Sequence, residues 1–128
     1  MRVNVNKKER SFGLKVRRID MGIFDYPVYC AIGNYKKFSK YIQWKFDDKN
    51  IKIDEQAPRG QTWIRTGYVP VIWLPRTPKT PRELSTVAHE SYHAACCLFR
   101  WASVPITDDT DEVVGHTIGH IVNEILKR

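Results

Sequence analysis

No run in this chain approaches the ~20 consecutive apolar residues of a membrane span. The N-terminus, Met1-Arg2-Val3-Asn4-Val5-Asn6-Lys7, has no apolar signal region either. Both absences lead to the expectation of a cytoplasmic protein with no membrane partner. Cysteine is scarce as well. Cys30, Cys96 and Cys97 are an odd set with two neighbours, which excludes a disulfide framework and fits a reducing compartment. There is no internal repeat and no low-complexity segment, so neither a solenoid nor a disordered chain is expected. Acid is short only in the first half: residues 1–60 carry 14 Lys and Arg against 7 Asp and Glu, whereas residues 61–128 carry 7 of each. The whole excess of +7 therefore sits in the N-terminal half. Such a half can attract nucleic acid or an acidic partner, or serve simply as a solvated basic face.

What the chain does have suffices for one core. It has 128 residues, 42% of them hydrophobic, with four Trp, six Tyr and five Phe, which suits a single domain over 1–128 without disulfide staples. Residues 1–10 are polar and read as flexible. Phe12 to Ile19 alternates and predicts a strand. Tyr26 to Ile32 predicts another, ended by Gly33-Asn34. From Tyr35 to Phe46 the period becomes helical: Phe38, Tyr41, Ile42 and Phe46 form the inner face, with Lys36, Lys37, Lys40 and Lys45 between them. A charged loop, 47–60, ends in Pro58-Arg59-Gly60. Strands follow at Gln61–Thr66 and Tyr68–Leu74, around Gly67. Pro70 makes the second an edge strand or marks its start. After a proline-rich loop, Thr80-Pro81-Arg82-Glu83 is a helix start, with Thr as N-cap and Glu at the third position. That helix runs to about Trp101. A last helix extends from about Asp108 to Leu126, with Lys127-Arg128 at the end its dipole favours. The order of elements predicts an α+β domain.

The third helix carries His89-Glu90-Ser91-Tyr92-His93, the pattern H-E-x-x-H. Residues four apart share a helix face, so two imidazoles there can hold one Zn²⁺ while Glu90 takes a proton from water. Leu84, Val87, Ala88, Ser91, Ala95, Leu98 and Ala102 form a stripe expected to pack on the sheet. His89, His93, Cys96, Cys97 and Arg100 lie opposite, a second face suited to a metal site buried between two layers. A catalytic zinc takes three protein ligands. The candidates for the third are Glu112, His116, His120 and Cys97, if the last helix folds back over the histidine face. Glu112 also has a competing role: with Asp109 as N-cap it stands where a capping-box carboxylate belongs.

His89-Glu90-x-x-His93 followed by Glu112 resembles the gluzincin metallopeptidases. Ile72-Trp73-Leu74-Pro75 and Thr86-Val87-Ala88-His89-Glu90 are similar to the small single-domain zincins of phage and bacterial genomes. The likeness covers about residues 68–124. It implies a zincin-like α+β fold: a small mixed sheet with a backing helix, an active-site helix and a C-terminal helix. It further implies Zn²⁺ on His89, His93 and Glu112, Glu90 as general base, and strand 69–74 as an edge strand beside a peptide or protein substrate. The compartment would be the host cytoplasm if the chain is phage-encoded. Larger gluzincins often carry an aspartate where this chain has His116. That imidazole is expected to hydrogen-bond near the site or help stabilise an oxyanion, without the aspartate's charge. The rival expectation is a non-catalytic, zinc-containing binding protein.

Overall fold

The computed structural model describes residues 5–22, 24–52 and 59–127. Of the expected loop 47–60, residues 53–58 lie outside these, as do residues 1–4. The described residues form a mixed α+β fold. Its strands are β1 (Lys15–Ile19), β2 (Val28–Ile32), β3 (Gln61–Trp63) and β4 (Val71–Leu74). Its helices are α1 (Lys7–Arg10), α2 (Tyr35–Lys45), α3 (Pro81–Trp101) and α4 (Asp111–Leu126). The sheet order is β1-β2-β4-β3. β1 is antiparallel to β2, β2 parallel to β4, and β3 antiparallel to β4.

The side-chain period of two sorts this sheet into two cores. Val28 and Cys30 of β2, with Ile72 and Leu74 of β4, face α3 and α4 and pack on Val87, Ala94, Ala95, Leu98, Ile121 and Ile125. Tyr29 and Ala31, with Val71 and Trp73, face α2 and pack on Phe38, Tyr41, Ile42 and Phe46. The molecule is thus a sheet with α2 on one face and α3 and α4 on the other. The helical reading of 35–46 is matched by that buried face, and Lys36, Lys37 and Lys40 are exposed on α2.

Three expectations change. β4 lies between β2 and β3 and is buried at all four residues. It is therefore an interior strand, as a continuous Val-Ile-Trp-Leu run suggests for a strand covered on both faces. Pro70 directly precedes it, leaving the ladder intact, and β3 takes the edge. Residues 7–10 are a turn of helix rather than loose chain. Asn6 caps it, and Glu9, 1% exposed, is held by α2. The Tyr41 hydroxyl and the Lys45 ammonium both donate to Glu9 Oε2, at 2.8 and 2.9 Å. That pairing is tertiary, so no local pattern announces it. Finally, α4 starts at Asp111 with Thr110 as N-cap and no side-chain cap bond, so Glu112 does not act as a cap.

Candidate metal centre

α3 begins where the sequence placed it. Thr80 Oγ1 accepts from Glu83 N–H at 3.2 Å, and Glu83 Oε1 accepts from Thr80 N–H at 3.0 Å. The Arg76 guanidinium also binds Glu83 and, with the backbone N–H groups of Thr80 and Lys79, holds its carboxyl down to about 2. The predicted stripe is half right. Val87, Ser91, Ala95 and Leu98 are buried, while Leu84, Ala88 and Ala102 are exposed. Cys97, expected on the outer side, is buried, and burial pushes its thiol up to about 11. It is a core residue, not a ligand in waiting.

His89 and His93 emerge on the outer face. Their Nε2 atoms converge at 3.1 Å, with the rings edge to face. That is the length of an N–H···N hydrogen bond between the rings; two nitrogens on one tetrahedral ion at Zn–N of ~2.0–2.1 Å would lie roughly 3.3 Å apart, so the spacing also fits a shared metal. His89 Nε2 is 3.9 Å from Glu90 Oε2. His89, Glu90 and His93 form a group whose ligand atoms could hold a metal ion. The imidazoles are exposed, His89 to 66% of its side chain, whereas Glu90 is 7% exposed. The site is an open cleft instead of the enclosed layer expected from the helix faces.

β3 supplies the opposite wall. Trp63 packs into the α2 core, so the alternate residues Thr62 and Ile64 turn toward α3. The Thr62 hydroxyl lies 2.9 Å from Glu90 Oε1 and 3.0 Å from the Glu90 carbonyl oxygen, able to donate to either. It restrains the buried carboxylate at the mouth of a cleft of about 550 Å³ lined by Thr62, Ile64, His89, Glu90 and His93. Gly60, which opens the strand, is there for space: a Cβ would lie 2.7 Å from Thr86 Cγ2 and 3.3 Å from the Trp73 carbonyl oxygen. Sequence reading placed a strand at 61–66 but gave Thr62 and Gly60 no part in the site. The signal was a lone hydroxyl on one face of the alternating Thr62-Trp63-Ile64, just after a glycine.

The structure does not bring the remaining candidates into this group. Glu112 and His116 form an exposed i,i+4 pair at 3.3 Å, with side chains 85% and 79% exposed. The reason lies in how α4 docks. Val114, Thr117, Ile121 and Ile125 are buried, and Glu112, His116, Gly119 and Asn123 fall on the opposite side of the helix. Because α3 and α4 share one sheet face, α4 lies beside α3 and not over its histidines. His120 Nε2 is 2.8 Å from the Asp20 carbonyl oxygen, to which its N–H donates, tying α4 to the end of β1.

No helix among the described residues is long and apolar enough to cross a membrane. No family model, curated protein or solved structure matches this chain.

Proposed function

We propose that this protein is a small zinc-dependent metallopeptidase of gluzincin type, and that the metal sits on His89 and His93. The observation that carries the reading is the convergence of the two Nε2 atoms at 3.1 Å beside a buried, hydrogen-bonded Glu90 carboxylate. When bound, zinc would supply Lewis acidity, lowering the pKa of water and polarising a scissile carbonyl. Glu90 accepts the proton of the attacking water and passes it to the leaving amine. Thr62 fixes which Glu90 oxygen is occupied and leaves Oε2, the one nearer His89, for that work. The outer edge of β3, which no strand among the described residues pairs, takes the role first expected of strand 69–74, aligning an extended peptide. Glu112 is the proposed third ligand on its spacing from His93. In the structure its carboxylate is exposed and paired with His116, so reaching the histidines requires the first turn of α4 to turn inward.

A second reading also has an observation in its favour. Glu90 is itself one of the clustered donors. If Glu90 ligates the ion, it is no longer free as a base, and the protein binds zinc without hydrolysing peptides.

Zinc content of the purified protein, with hydrolysis of a peptide mixture, separates the two. The peptidase reading expects about one zinc per chain, loss of it in His89→Ala and His93→Ala, and Glu90→Gln that keeps zinc but not cleavage. A Glu90→Gln variant that loses zinc affinity, in a parent that cleaves nothing, would establish the binding reading. Glu112→Ala should weaken zinc binding by at least about tenfold if its carboxylate completes the site.

A further inference from the structure

The cleft continues past the histidine pair in both directions along the outer face of α3. Toward the helix N-terminus, a cavity of about 250 Å³ is walled by Arg59, Thr86, His89 and Glu90. It shares Arg59 and Thr86 with a pocket of about 420 Å³ that also holds Arg76, Arg82 and Glu83. Toward the C-terminus, His93 joins a pocket of about 540 Å³ formed with Tyr92, Cys96, Arg100, Val104 and Ile106. The histidines thus stand midway along one trough.

Its two ends differ in chemistry. At the first, three arginines meet one carboxylate, Glu83, which is already taken by Arg76 and by the N–H groups of Thr80 and Lys79. The capping box occupies those first-turn groups, and among the described residues lining this end the net positive charge is that of the arginine side chains. At the other end the walls are mainly exposed apolar surface, with a single cation, Arg100, against the three arginines of the first: Tyr92 is 49%, Val104 36% and Ile106 49% exposed. Thr86 and Cys96 lie about 7–8 Å of helix rise to either side of the midpoint of His89 and His93. An extended chain advances ~3.3 Å per residue, so each end is about two residues from the histidine pair, and Arg82, about 6 Å of rise beyond Thr86, is about two further.

We infer that the trough takes an extended peptide with opposite ends. An acidic side chain sits against Arg82 and Arg59, two to four residues to one side of the histidine pair. A bulky apolar side chain lies among Tyr92, Val104 and Ile106, about two residues to the other side. This deepens the peptidase reading and rests on it for the bond that is cut, but not for the binding.

The test uses the full chain carrying Glu90→Gln and short fluorescein-labelled peptides that pair Asp or Lys at one end with Leu or Ser at the other. Fluorescence anisotropy should show the Asp/Leu peptide binding roughly five- to tenfold tighter than the Lys/Leu peptide, a preference that weakens as salt is raised to about 0.5 M. Arg82→Glu should reverse the charge preference. It should also fold, since an acidic residue in a first helical turn complements the dipole. Ile106→Ser should erase the Leu preference and leave the charge preference intact. Equal affinities for Asp and Lys peptides, or a preference untouched by Arg82→Glu, would overturn the inference. The two readings fail separately. A parent that cleaves peptides without acidic preference sinks only the trough assignment. Selective binding by the Glu90→Gln variant with no cleavage by the parent sinks only the catalytic one.

Discussion

Glu90 is the residue on which the proposed chemistry turns, and the Thr62 hydroxyl holds one of its oxygens. A carboxylate 7% exposed, one residue from the proposed ligand His89, needs a donor on one oxygen to keep the other aimed. The Thr62 hydroxyl sits 2.9 Å from Oε1. Thr62→Val keeps the side chain's shape and removes only that hydroxyl. Zinc content should be unchanged, and kcat should fall roughly 10- to 100-fold, the usual cost of losing a partner that orients a metal-site group. Thr62→Ser restores the hydroxyl and should restore most of the rate. Turnover at matched zinc loading decides it: a valine variant as fast as the parent would mean that Thr62 does not position Glu90.

At the scale of elements, what was legible in the sequence depended on whether the signal was local. α3 announced itself through Thr80, Pro81 and Glu83, and α2 through its period, because caps and amphipathic faces are written within one or two turns. His89, Glu90 and His93 could be placed together for the same reason. Val114, Ile118, Ile121 and Ile125 of α4 also fall at helical spacing, on the side away from Glu112, and a residue opposite a buried stripe faces solvent unless another element covers that side. Nothing local said that α4 would settle beside α3. The continuous apolar run of β4 was a local sign of a strand covered on both faces, but that β3 would be the strand beside it at the edge was not, because strand order is a long-range property. The β3–α3 approach can be tested directly. Gly60 does not have positive φ, so the barrier to a side chain there is space, chiefly Thr86 Cγ2 at 2.7 Å. Gly60→Ala should cost about 1–3 kcal/mol in urea unfolding, as overpacking typically does. Thr86→Ser removes that methyl and keeps the hydroxyl. In its background the alanine should cost clearly less, with a coupling of at least about 0.5 kcal/mol. Additive effects would show that the strand and helix are not pressed together at this point.

For the whole molecule, the two cores are joined because β2 and β4 contribute alternate residues to both, so neither helical layer can leave without exposing the strands the other needs. Cys30 and Tyr41 report on the two sides of this arrangement. Burial pushes the Cys30 thiol from 9.0 up to about 12, against a smaller lowering by Arg17 and Lys15. Burial and the Glu9 carboxylate raise Tyr41 in the same direction. Both groups keep their protons in the fold and lose them sooner when unfolded. Their contribution to stability is therefore complete below the unfolded pKa and declines as pH climbs toward the folded one. For Cys30 that window runs from about pH 9 to about pH 12, with a slope of about 1.4 kcal/mol per pH unit. Tyr41 adds to the slope from near pH 10 upward. Cys30→Ala loses some packing at every pH, but it should also flatten the alkaline decline by about 1.4 kcal/mol per unit between roughly pH 9.5 and 11.5. Urea midpoints followed by circular dichroism across that range give the comparison. Parallel pH profiles for parent and variant would show that the buried thiol is not held protonated by the fold. A single transition at each pH, reported alike by near- and far-ultraviolet signals, is the expected sign that both cores unfold as one unit.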